Sequence, residues 1–257
     1  MRESNKERIP EQTTVNETVI AVRNLKKSFG TKEVLSDLWM DLYKGENLVV
    51  LGKSGSGKSV SIKCMVGLLT QDAGSLKILG QEVKDLPEKE LRTLRIKTGF
   101  LFQSAALYDS MTVAQNLEFP LTRVLKLSNR ADIRQRIEEV LESVGLLEAI
   151  DKMPSDLSGG MRKRVGLART LILKPEIMLY DEPTTGLDPI TSREISELML
   201  QMQKKYQTSS IIITHDMACA KITSDRILVL DKGVFVAEGT YEQLENGPDE
   251  LVRSFFK

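Results

Sequence analysis

The sequence contains few of the residues that build metal centres and disulfide frameworks. One histidine and two cysteines occur among its 257 residues. Cys64 and Cys219 lie far apart and lack the spacing of metal ligands, so we expect both thiols to be buried and reduced. Lys plus Arg and Asp plus Glu each total 36, so the formal net charge is zero. With no overall positive charge and no basic arm, the sequence predicts no nucleic-acid partner.

Long apolar runs are also absent. The longest, such as Leu48–Leu51 and Ile211–Ile213, fall far short of the ~20 residues that a membrane-spanning helix requires. Residues 1–17 are polar and charged, without the apolar stretch of a secretory signal, and we expect them to form a flexible tail. The composition is typical of a soluble cytoplasmic protein. The chain is long enough for one large α/β domain or two small ones.

Short apolar segments alternate along the chain with segments of helical spacing. The expected strands are Val19–Val22, Asn47–Leu51, Leu76–Leu79, Thr98–Phe102, Ile177–Tyr180, Ser210–Ile213, Ile227–Leu230 and Val234–Ala237. Because several of them are wholly apolar, they favour a mostly parallel sheet that is covered on both faces. Between Ser104 and Ser158 the strand pattern stops, and Ile133–Val144 has helical spacing instead. This region predicts a helical insertion within one α/β core.

The segment Gly52–Ser59, GKSGSGKS, matches the P-loop pattern. It follows the strand-like run Leu48–Leu51 and precedes Val60–Leu69, whose spacing is helical, and the pattern requires this context. The glycines let backbone N–H groups surround phosphate oxygens, and the helix N-terminus adds partial positive charge. Lys58 can reach the β- and γ-phosphates, and the Ser59 hydroxyl can ligate Mg²⁺. A plain glycine-rich turn is the alternative, but the context favours binding of a nucleoside triphosphate.

Two adjacent carboxylates, Asp181 and Glu182, end the apolar run that begins at Ile177. Ligands of parallel α/β sheets gather at the carboxyl ends of the strands. Asp181 therefore suits Mg²⁺, held directly or through water, and Glu182 suits a base that orients an attacking water. A solvated strand end is the alternative; the P-loop in the same chain favours the catalytic interpretation.

The run Ser158–Met161, SGGM, precedes a predicted helix over Arg162–Leu173. Ser158 suits the N-cap of that helix, and the two glycines permit close approach of an anion. Three basic residues at positions 162–164 crowd the first turn, where the helix dipole disfavours cations. Either a bound polyphosphate relieves this conflict, or the three side chains form a solvated basic face.

Two further polar residues follow expected strands. His215 comes after Ile211–Ile213, and Gln103 comes after Thr98–Phe102. Because carboxyl ends of parallel strands share one edge of the sheet, we expect both side chains near Asp181. A lone histidine or glutamine is often incidental, so each is weak evidence when taken alone.

Together and in this order, these motifs resemble the nucleotide-binding subunit of ATP-binding-cassette (ABC) transporters over about residues 19–245. The matches are Walker A at Gly52–Ser59, the Q-loop at Gln103, the signature at Ser158–Met161, Walker B at Ile177–Asp181 followed by Glu182, the D-loop at Gly186–Asp188 and the switch histidine at His215. Phe29 lies where this family stacks an aromatic ring on adenine; a core phenylalanine is the alternative. The implied fold is a RecA-like α/β P-loop NTPase domain over residues 18–257, with an antiparallel β subdomain and a helical subdomain at about 104–158.

The resemblance implies an ATPase that uses ATP and Mg²⁺. It assigns ATP binding to Phe29, Gly52, Ser54, Gly55, Ser56, Gly57, Lys58, Ser59, Val60, Ser158, Gly159, Gly160 and Asp188. It assigns catalytic roles to Lys58, Gln103, Glu182 and His215, and Mg²⁺ binding to Ser59, Gln103 and Asp181. It also implies that two copies pack head-to-tail, so that each site joins the Walker motifs of one copy to the signature of the other.

Finer details are similar to the Mla/Mce (MlaF-like) branch, which moves phospholipids or other lipids between membranes. Met161 replaces the glutamine usual in the signature, and MRKR from Met161, FQSAALY from Phe102 and GKS from Gly52 are typical of that branch. The implied partners are an integral-membrane MlaE-like permease and an Mce-domain lipid-binding protein, with this chain peripheral on the cytoplasmic face of the inner membrane.

Other functions are the alternatives. An ABC importer or exporter of another substrate differs only in the Met161 and Q-loop details. A soluble, non-transport ABC ATPase usually carries two cassettes or long coiled-coil insertions, which 257 residues do not contain. A P-loop kinase would leave the signature and His215 without a purpose.

An apolar cluster follows the Q-loop glutamine and consists of Ala105, Ala106, Leu107, Tyr108 and Met111. In ABC transporters this region receives a short coupling helix from the permease. We therefore expect Leu107 and Tyr108 to help dock the permease, with internal packing of the cluster as the alternative.

Overall fold

The computed structural model describes residues 17–256 of the chain, which contain both strands and helices. The strands are β1 (Thr18–Phe29), β2 (Lys32–Tyr43), β3 (Asn47–Gly52), β4 (Ala73–Ile78), β5 (Gln81–Glu82), β6 (Thr98–Leu101), β7 (Ile177–Asp181), β8 (Ser209–Thr214), β9 (Arg226–Asp231) and β10 (Val234–Gly239). The helices are α1 (Lys58–Met65), α2 (Glu88–Lys97), α3 (Val113–Arg123), α4 (Arg130–Ser143), α5 (Gly159–Leu171), α6 (Pro189–Tyr206), α7 (Met217–Thr223), α8 (Tyr241–Glu245) and α9 (Glu250–Arg253). The tail expected at residues 1–17 falls, except for residue 17, outside the described residues.

These strands form one sheet in the order β5-β4-β1-β2-β10-β9-β3-β8-β7-β6. From β9 to β6 every neighbouring pair is parallel. Strands β1, β2, β4 and β5 pair antiparallel and form the part that we call the antiparallel arm. The arm joins the rest through β10, which is antiparallel to β9 and pairs with β2 at one position, Val234 with Asp37. The sheet expected to be mostly parallel is therefore parallel over only half of its strands.

Strand β3 explains why the predicted strands were continuously apolar. Alternate side chains of a strand point to opposite faces of the sheet. Val49 and Leu51 pack into a cluster with helices α3 to α7, whereas Leu48 and Val50 pack into a second cluster with α1 and the antiparallel arm. All four are at most 1% exposed, and each contributes about 1.5–3 kcal/mol through burial. The parallel strands are thus covered on both faces, as predicted.

Two strands are not predicted by the sequence. Strand β5 has only two residues. In β2, the register against β1 shifts between the pairs Leu25–Leu38 and Lys27–Leu35. The buried residues Leu35 and Leu38 are therefore three positions apart, which breaks the alternation expected of a strand.

Two predicted helices have different ends in the structure. Helix α1 ends at Met65 rather than Leu69, because Gly67 takes a left-handed conformation with φ of 68°. Helix α5 begins at Gly159 rather than Arg162. The Ser158 hydroxyl accepts a hydrogen bond from the Met161 amide at 3.2 Å, which confirms Ser158 as an N-cap.

The segment 104–158 contains helices α3 and α4 and, in the described chain, no strand. Helix α3 begins with a capping box between Thr112 and Gln115, and Asn129 caps α4 by accepting from the Ala131 amide. The division of this segment as a separate subdomain stays a prediction. Among residues 17–256, no helix has both the length and the apolar character needed to cross a membrane.

Both cysteines are buried and free. Burial raises the pKa of the Cys64 and Cys219 thiols to about 11. At neutral pH both are therefore protonated and unreactive. The expectation of buried, reduced thiols is confirmed.

Candidate active site

The P-loop connects β3 to α1 at the carboxyl end of the parallel strands. Gly57 is the N-cap of α1 and has φ of 109°, a conformation that residues with a Cβ rarely adopt. A Cβ there would lie 2.7 Å from Leu35 Cδ2 and 3.0 Å from the Val34 carbonyl oxygen. Glycine is therefore required both by the backbone conformation and by the close approach of β2.

Lys58 is held inside the loop that precedes it. Its Nζ donates hydrogen bonds to the carbonyl oxygens of Gly52 at 2.6 Å and Lys53 at 3.1 Å. The same atom lies 3.9 Å from Oε1 of Glu182. Burial lowers the pKa of Lys58, and the carboxylates of Glu182 and Asp181 oppose this effect. The loop thus presents a cation that is fixed in position and incompletely neutralised, which suits a phosphate ligand.

Asp181 and Ser59 bring two oxygen ligands together beside that cation. The Ser59 hydroxyl donates to Oδ1 of Asp181 at 3.3 Å. Asp181 is 8% exposed, and burial raises its pKa, whereas the hydrogen bond from Ser59 lowers it. A buried carboxylate beside a hydroxyl is a donor set that Mg²⁺ prefers, and a divalent cation would stabilise the charged form. The residues therefore fit Mg²⁺.

Glu182 is fixed at the end of β7 by its side chain and its backbone. Its Oε2 lies 2.7 Å from Nδ1 of His215 and accepts a hydrogen bond from the Thr185 hydroxyl at 3.2 Å. Its amide donates to the carbonyl oxygen of Ile213 at 2.9 Å, and its φ is 50°, in the left-handed region. Non-glycine residues take this conformation at a cost, often at functional sites.

These residues surround a cleft of about 890 Å³, which we call the β3–α1 cleft. Its lining includes the predicted residues Phe29, Ser54, Gly55, Ser56, Gly57, Lys58, Ser59, Val60, Gln103, Glu182 and His215. Phe29 is 48% exposed, so the alternative of a core phenylalanine is wrong. Ser56 Oγ is buried without a hydrogen-bond partner among the described residues, and a phosphate oxygen would supply one.

Five lining residues are not predicted by the sequence: Lys32, Glu33, Val34, Lys232 and Gly233. They come from the start of β2 and from the β9–β10 turn. No sequence signal links either segment to the P-loop, because β2 pairs with β1 and β10 rather than with β3. Two predicted residues, Gly52 and Asp181, are buried and do not line the cleft. Gly52 accepts a hydrogen bond from Lys58, and Asp181 accepts one from Ser59.

The predicted signature residues and Asp188 do not line the cleft of their own chain. They form a second group, which we call the signature patch, consisting of Ser158, Gly159, Gly160 and Asp188. A Cβ on Gly159 would lie 3.2 Å from Leu187 Cδ2, so the signature packs beside the D-loop. Asp188 is the N-cap of α6 and accepts from the Thr191 hydroxyl at 2.6 Å, which lowers the pKa of its carboxyl. One chain thus holds two separate groups of predicted nucleotide-binding residues.

The three basic residues after the signature have different environments. Arg162 is exposed, and Arg164 forms an ion pair with Glu194 at 2.9 Å. The alternative of a solvated basic face therefore holds for Arg162 only; the Arg164 side chain is 25% exposed, and Lys163 is 6% exposed. Lys163 Nζ donates to the backbone carbonyl oxygen of Gln103 at 2.5 Å. Nothing in the sequence distinguishes Lys163 from its basic neighbours.

Comparison with known proteins gives the family. A family model described as ABC transporter matches residues 35–185. The chain is 39% identical over 236 residues to a probable ribonucleotide transport ATP-binding protein, mkl, from Mycobacterium leprae, covering 92% of this chain and 68% of that protein. It is 35% identical over 252 residues to the methionine import ATP-binding protein MetN from Campylobacter jejuni, covering 92% and 75% respectively.

A solved structure supports the same assignment. It is a dimeric ATP-binding cassette in a post-hydrolysis state, bound to ADP and Pi. The TM-score is 0.78 at 29% identity, over 86% of this chain and 98% of that one. Together with the cation, the oxygen ligands and the carboxylate in the cleft, these similarities show that the chain belongs to the ABC transporter family, as an ATP-binding subunit that hydrolyses ATP with Mg²⁺.

Proposed function

We propose that Glu182 is the general base of ATP hydrolysis. The observation that carries this proposal is the position of its carboxylate, 2.7 Å from His215 Nδ1 and 3.9 Å from Lys58 Nζ. A base must lie within hydrogen-bond reach of the attacking water, next to the groups that bind the γ-phosphate. Because His215 and Thr185 fix Oε2, the carboxylate keeps one orientation and can accept the proton of that water.

The neighbouring residues would supply charge and position. Lys58 would neutralise negative charge that develops on the phosphate oxygens. Ser59 and Asp181 would hold Mg²⁺, with Gln103 as a further ligand, and the ion would supply charge for the transferred and leaving oxygens. Phe29, half exposed at the rim of the β3–α1 cleft, would stack on the adenine.

The active form in this proposal is a head-to-tail dimer. The signature patch lies outside the cleft of its own chain, although Gly159 and Gly160 begin α5 and so suit an anion. A two-fold axis would place each patch over the cleft of the other copy and make the two sites equivalent. The dimeric cassette with ADP and Pi, to which this chain is similar, supports such an arrangement. ATP would close the pair, and hydrolysis would release it.

Subunit complementation tests the shared site. Lys58→Ala disables the cleft, whereas Gly159→Asp disables the signature patch. Gly159 has no positive φ, and an added Cβ would meet only Leu187 Cδ2 at 3.2 Å. An acidic residue in the first turn of α5 suits the helix dipole but repels a triphosphate. Each variant alone should be inactive, and a 1:1 mixture should recover roughly a quarter of wild-type turnover, because half of the dimers regain one intact site.

The matched control mixes Lys58→Ala with Glu182→Gln. Both substitutions damage the cleft side, so neither site of the mixed dimer is complete and no activity should return. Activity in the control mixture, or none in the test mixture, would contradict a site shared between two copies.

We propose lipids as the transported class, with an Mla/Mce-type permease as the membrane partner. The support comes from Met161 in the signature and from the FQSAALY segment that begins at Phe102. In this proposal the chain lies on the cytoplasmic face of the inner membrane, and an MlaE-like permease and an Mce-domain lipid-binding protein complete the transporter.

The docking surface for the permease would lie on α3 and the loop before it. Tyr108 is 45% exposed, and its ring centroid lies 5.1 Å from that of Phe119. Beside them a shallow groove of about 390 Å³ is lined by Met111, Phe119 and polar residues of α3. Ala105 is buried and Leu107 packs against the core, so internal packing describes these two residues, whereas Tyr108 remains available for docking.

Import of another small molecule is the second candidate function. The names of the two relatives favour it, because one is described for ribonucleotide transport and the other for methionine import. The two functions share the same ATPase cycle and differ only in the cargo that the membrane partner carries.

A cargo experiment distinguishes them. The complex captured from native membranes through a tag on this chain is reconstituted into vesicles with ATP. Lipid transport predicts ATP-dependent transfer of a fluorescent phospholipid, without uptake of radiolabelled methionine or ribonucleotide. Uptake of either small molecule without lipid transfer would contradict the lipid proposal. Tyr108→Asp should abolish capture of the membrane partner without lowering the melting temperature of the isolated chain.

A further inference from the structure

Lys163 is a buried cation to which the proposed reaction gives no role. It lies in the first turns of α5 and is 6% exposed. Its ammonium group donates to two backbone oxygens, that of Gln103 at 2.5 Å and that of Glu182 at 3.3 Å. Burial lowers the pKa of Lys163, and the charges of Glu182 and Asp181 oppose this effect. A lysine is costly to bury, and this one therefore requires an explanation.

Glu182 itself and two residues shortly after Gln103 have a rarely populated backbone conformation. Glu182 has φ of 50°, and Ala105 and Ala106, just after Gln103, have φ of 60° and 47°. Such conformations persist only where neighbouring groups determine them from several sides. For Glu182, the amide is bonded to Ile213 and the carbonyl to Lys163, so the peptide units on both sides of its Cα are fixed.

The same helix also holds the rest of the Q-loop. A Cβ on Gly166 would lie 2.8 Å from the Cβ of Ala105, so the loop packs directly on α5. Arg169 donates to the carbonyl oxygen of Ala105 at 3.1 Å. Positions 163, 166 and 169 are three residues apart and form one face of the helix. The Q-loop, the signature helix and Glu182 are therefore joined through this face.

We propose that Lys163 is a positioning residue, whose ammonium group clamps the backbone of Gln103 to that of Glu182 and so holds both in register with the signature helix. The inference rests on the proposed roles of Gln103 and Glu182. It also gives a physical connection between the loop proposed to face the permease and the base proposed for hydrolysis. Movement of either segment alone would break one of the two hydrogen bonds.

Steady-state kinetics of Lys163 variants test this role. Lys163→Met removes the donors and keeps the length of the stem. Its kcat should fall about tenfold or more while its KM for ATP changes less than about twofold, because misplacement of a catalytic group affects the chemical step. Lys163→Arg keeps a cation with several donors and should recover part of the lost kcat. Lys204→Met, an exposed lysine on α6, is the matched control and should match wild type.

The outcomes separate this inference from the proposed function. If Glu182→Gln keeps turnover, the role of Glu182 is wrong and Lys163 has no base to position. If Glu182→Gln loses turnover while Lys163→Met keeps kcat within about twofold of wild type, only the inference about Lys163 is overturned. If Lys163→Arg loses as much kcat as Lys163→Met, the clamp is also overturned. Should Lys163→Met fail to fold, Lys163→Gln replaces it, and an unchanged kcat there has the same meaning.

Discussion

Glu182→Gln removes a charge and a base while keeping the shape of the side chain. The carboxylate accepts a hydrogen bond from Thr185 at 3.2 Å and lies 2.7 Å from His215 Nδ1. An amide cannot accept a proton from water at neutral pH, so the contribution of the base, about 10²–10⁴-fold in rate, should be lost. At 1.36 kcal/mol per tenfold, this loss equals about 3–5.5 kcal/mol of transition-state stabilisation.

Binding of ATP should survive the same substitution. Lys58 donates its hydrogen bonds to the carbonyl oxygens of Gly52 and Lys53, and its contact with Glu182 is longer, at 3.9 Å. The phosphate-binding loop therefore keeps its internal bonds. Removal of a negative charge beside the phosphates should leave ATP affinity unchanged or higher.

Phosphate release under saturating MgATP measures turnover, and a fluorescent ATP analogue measures affinity. Glu176→Gln is the matched control, because Glu176 precedes β7 and pairs with Lys97 on the exposed surface. Turnover of Glu182→Gln within about twofold of wild type would refute the base assignment. A loss of affinity as large as the loss of turnover would refute the argument about charge.

Three other substitutions test the site. Because burial raises the pKa of Asp181, its charge costs stability above that pKa. Asp181→Asn should raise the melting temperature of the nucleotide-free chain at neutral pH and abolish the stabilisation of the chain by MgATP. The gain in melting temperature should shrink as the pH falls toward about 3.9, the pKa of Asp in the unfolded chain. A gain that is independent of pH contradicts this reasoning. In Gly57→Ala the new Cβ meets atoms at 2.7 and 3.0 Å, so the free energy of unfolding should fall by about 1–3 kcal/mol. Gly55→Ala meets no atom within 4 Å and should lose less. Chemical denaturation measures both. Lys58→Ala should weaken ATP binding about tenfold or more in a titration; unchanged affinity excludes the assigned role.

The P-loop was predictable because its chemistry restricts the sequence. Positive φ at Gly57 excludes other residues, and the strand before the loop must be apolar on both faces. The positions of Asp181 and His215 also followed from the sequence, since carboxyl ends of parallel strands meet at one edge. Glu182 contacts His215 and Lys58, and Asp181 contacts Ser59, at 2.7–3.9 Å. Gln103 lines the same cleft.

Lys163 and β2 were not predictable, for different physical reasons. A lysine among three basic residues has the pattern of a solvated surface, and this one is buried where it bonds to the backbone of Gln103, which lies far away in the sequence. In β2, a register shift displaces the apolar side chains from simple alternation. Both features depend on contacts between segments far apart in the chain, which local patterns do not record.

The junction at Val234 and Asp37 has a consequence for the molecule as a whole. Phe29 belongs to the antiparallel arm, whereas Lys58 follows the parallel strand β3, so the two residues lie on opposite sides of that junction. A nucleotide held by its purine at Phe29 and by its phosphates at Lys58 would therefore connect the arm to the parallel strands. The arm already shares a buried cluster with Leu48 and Val50 of β3, so bound nucleotide would add a second connection between the two parts of the sheet.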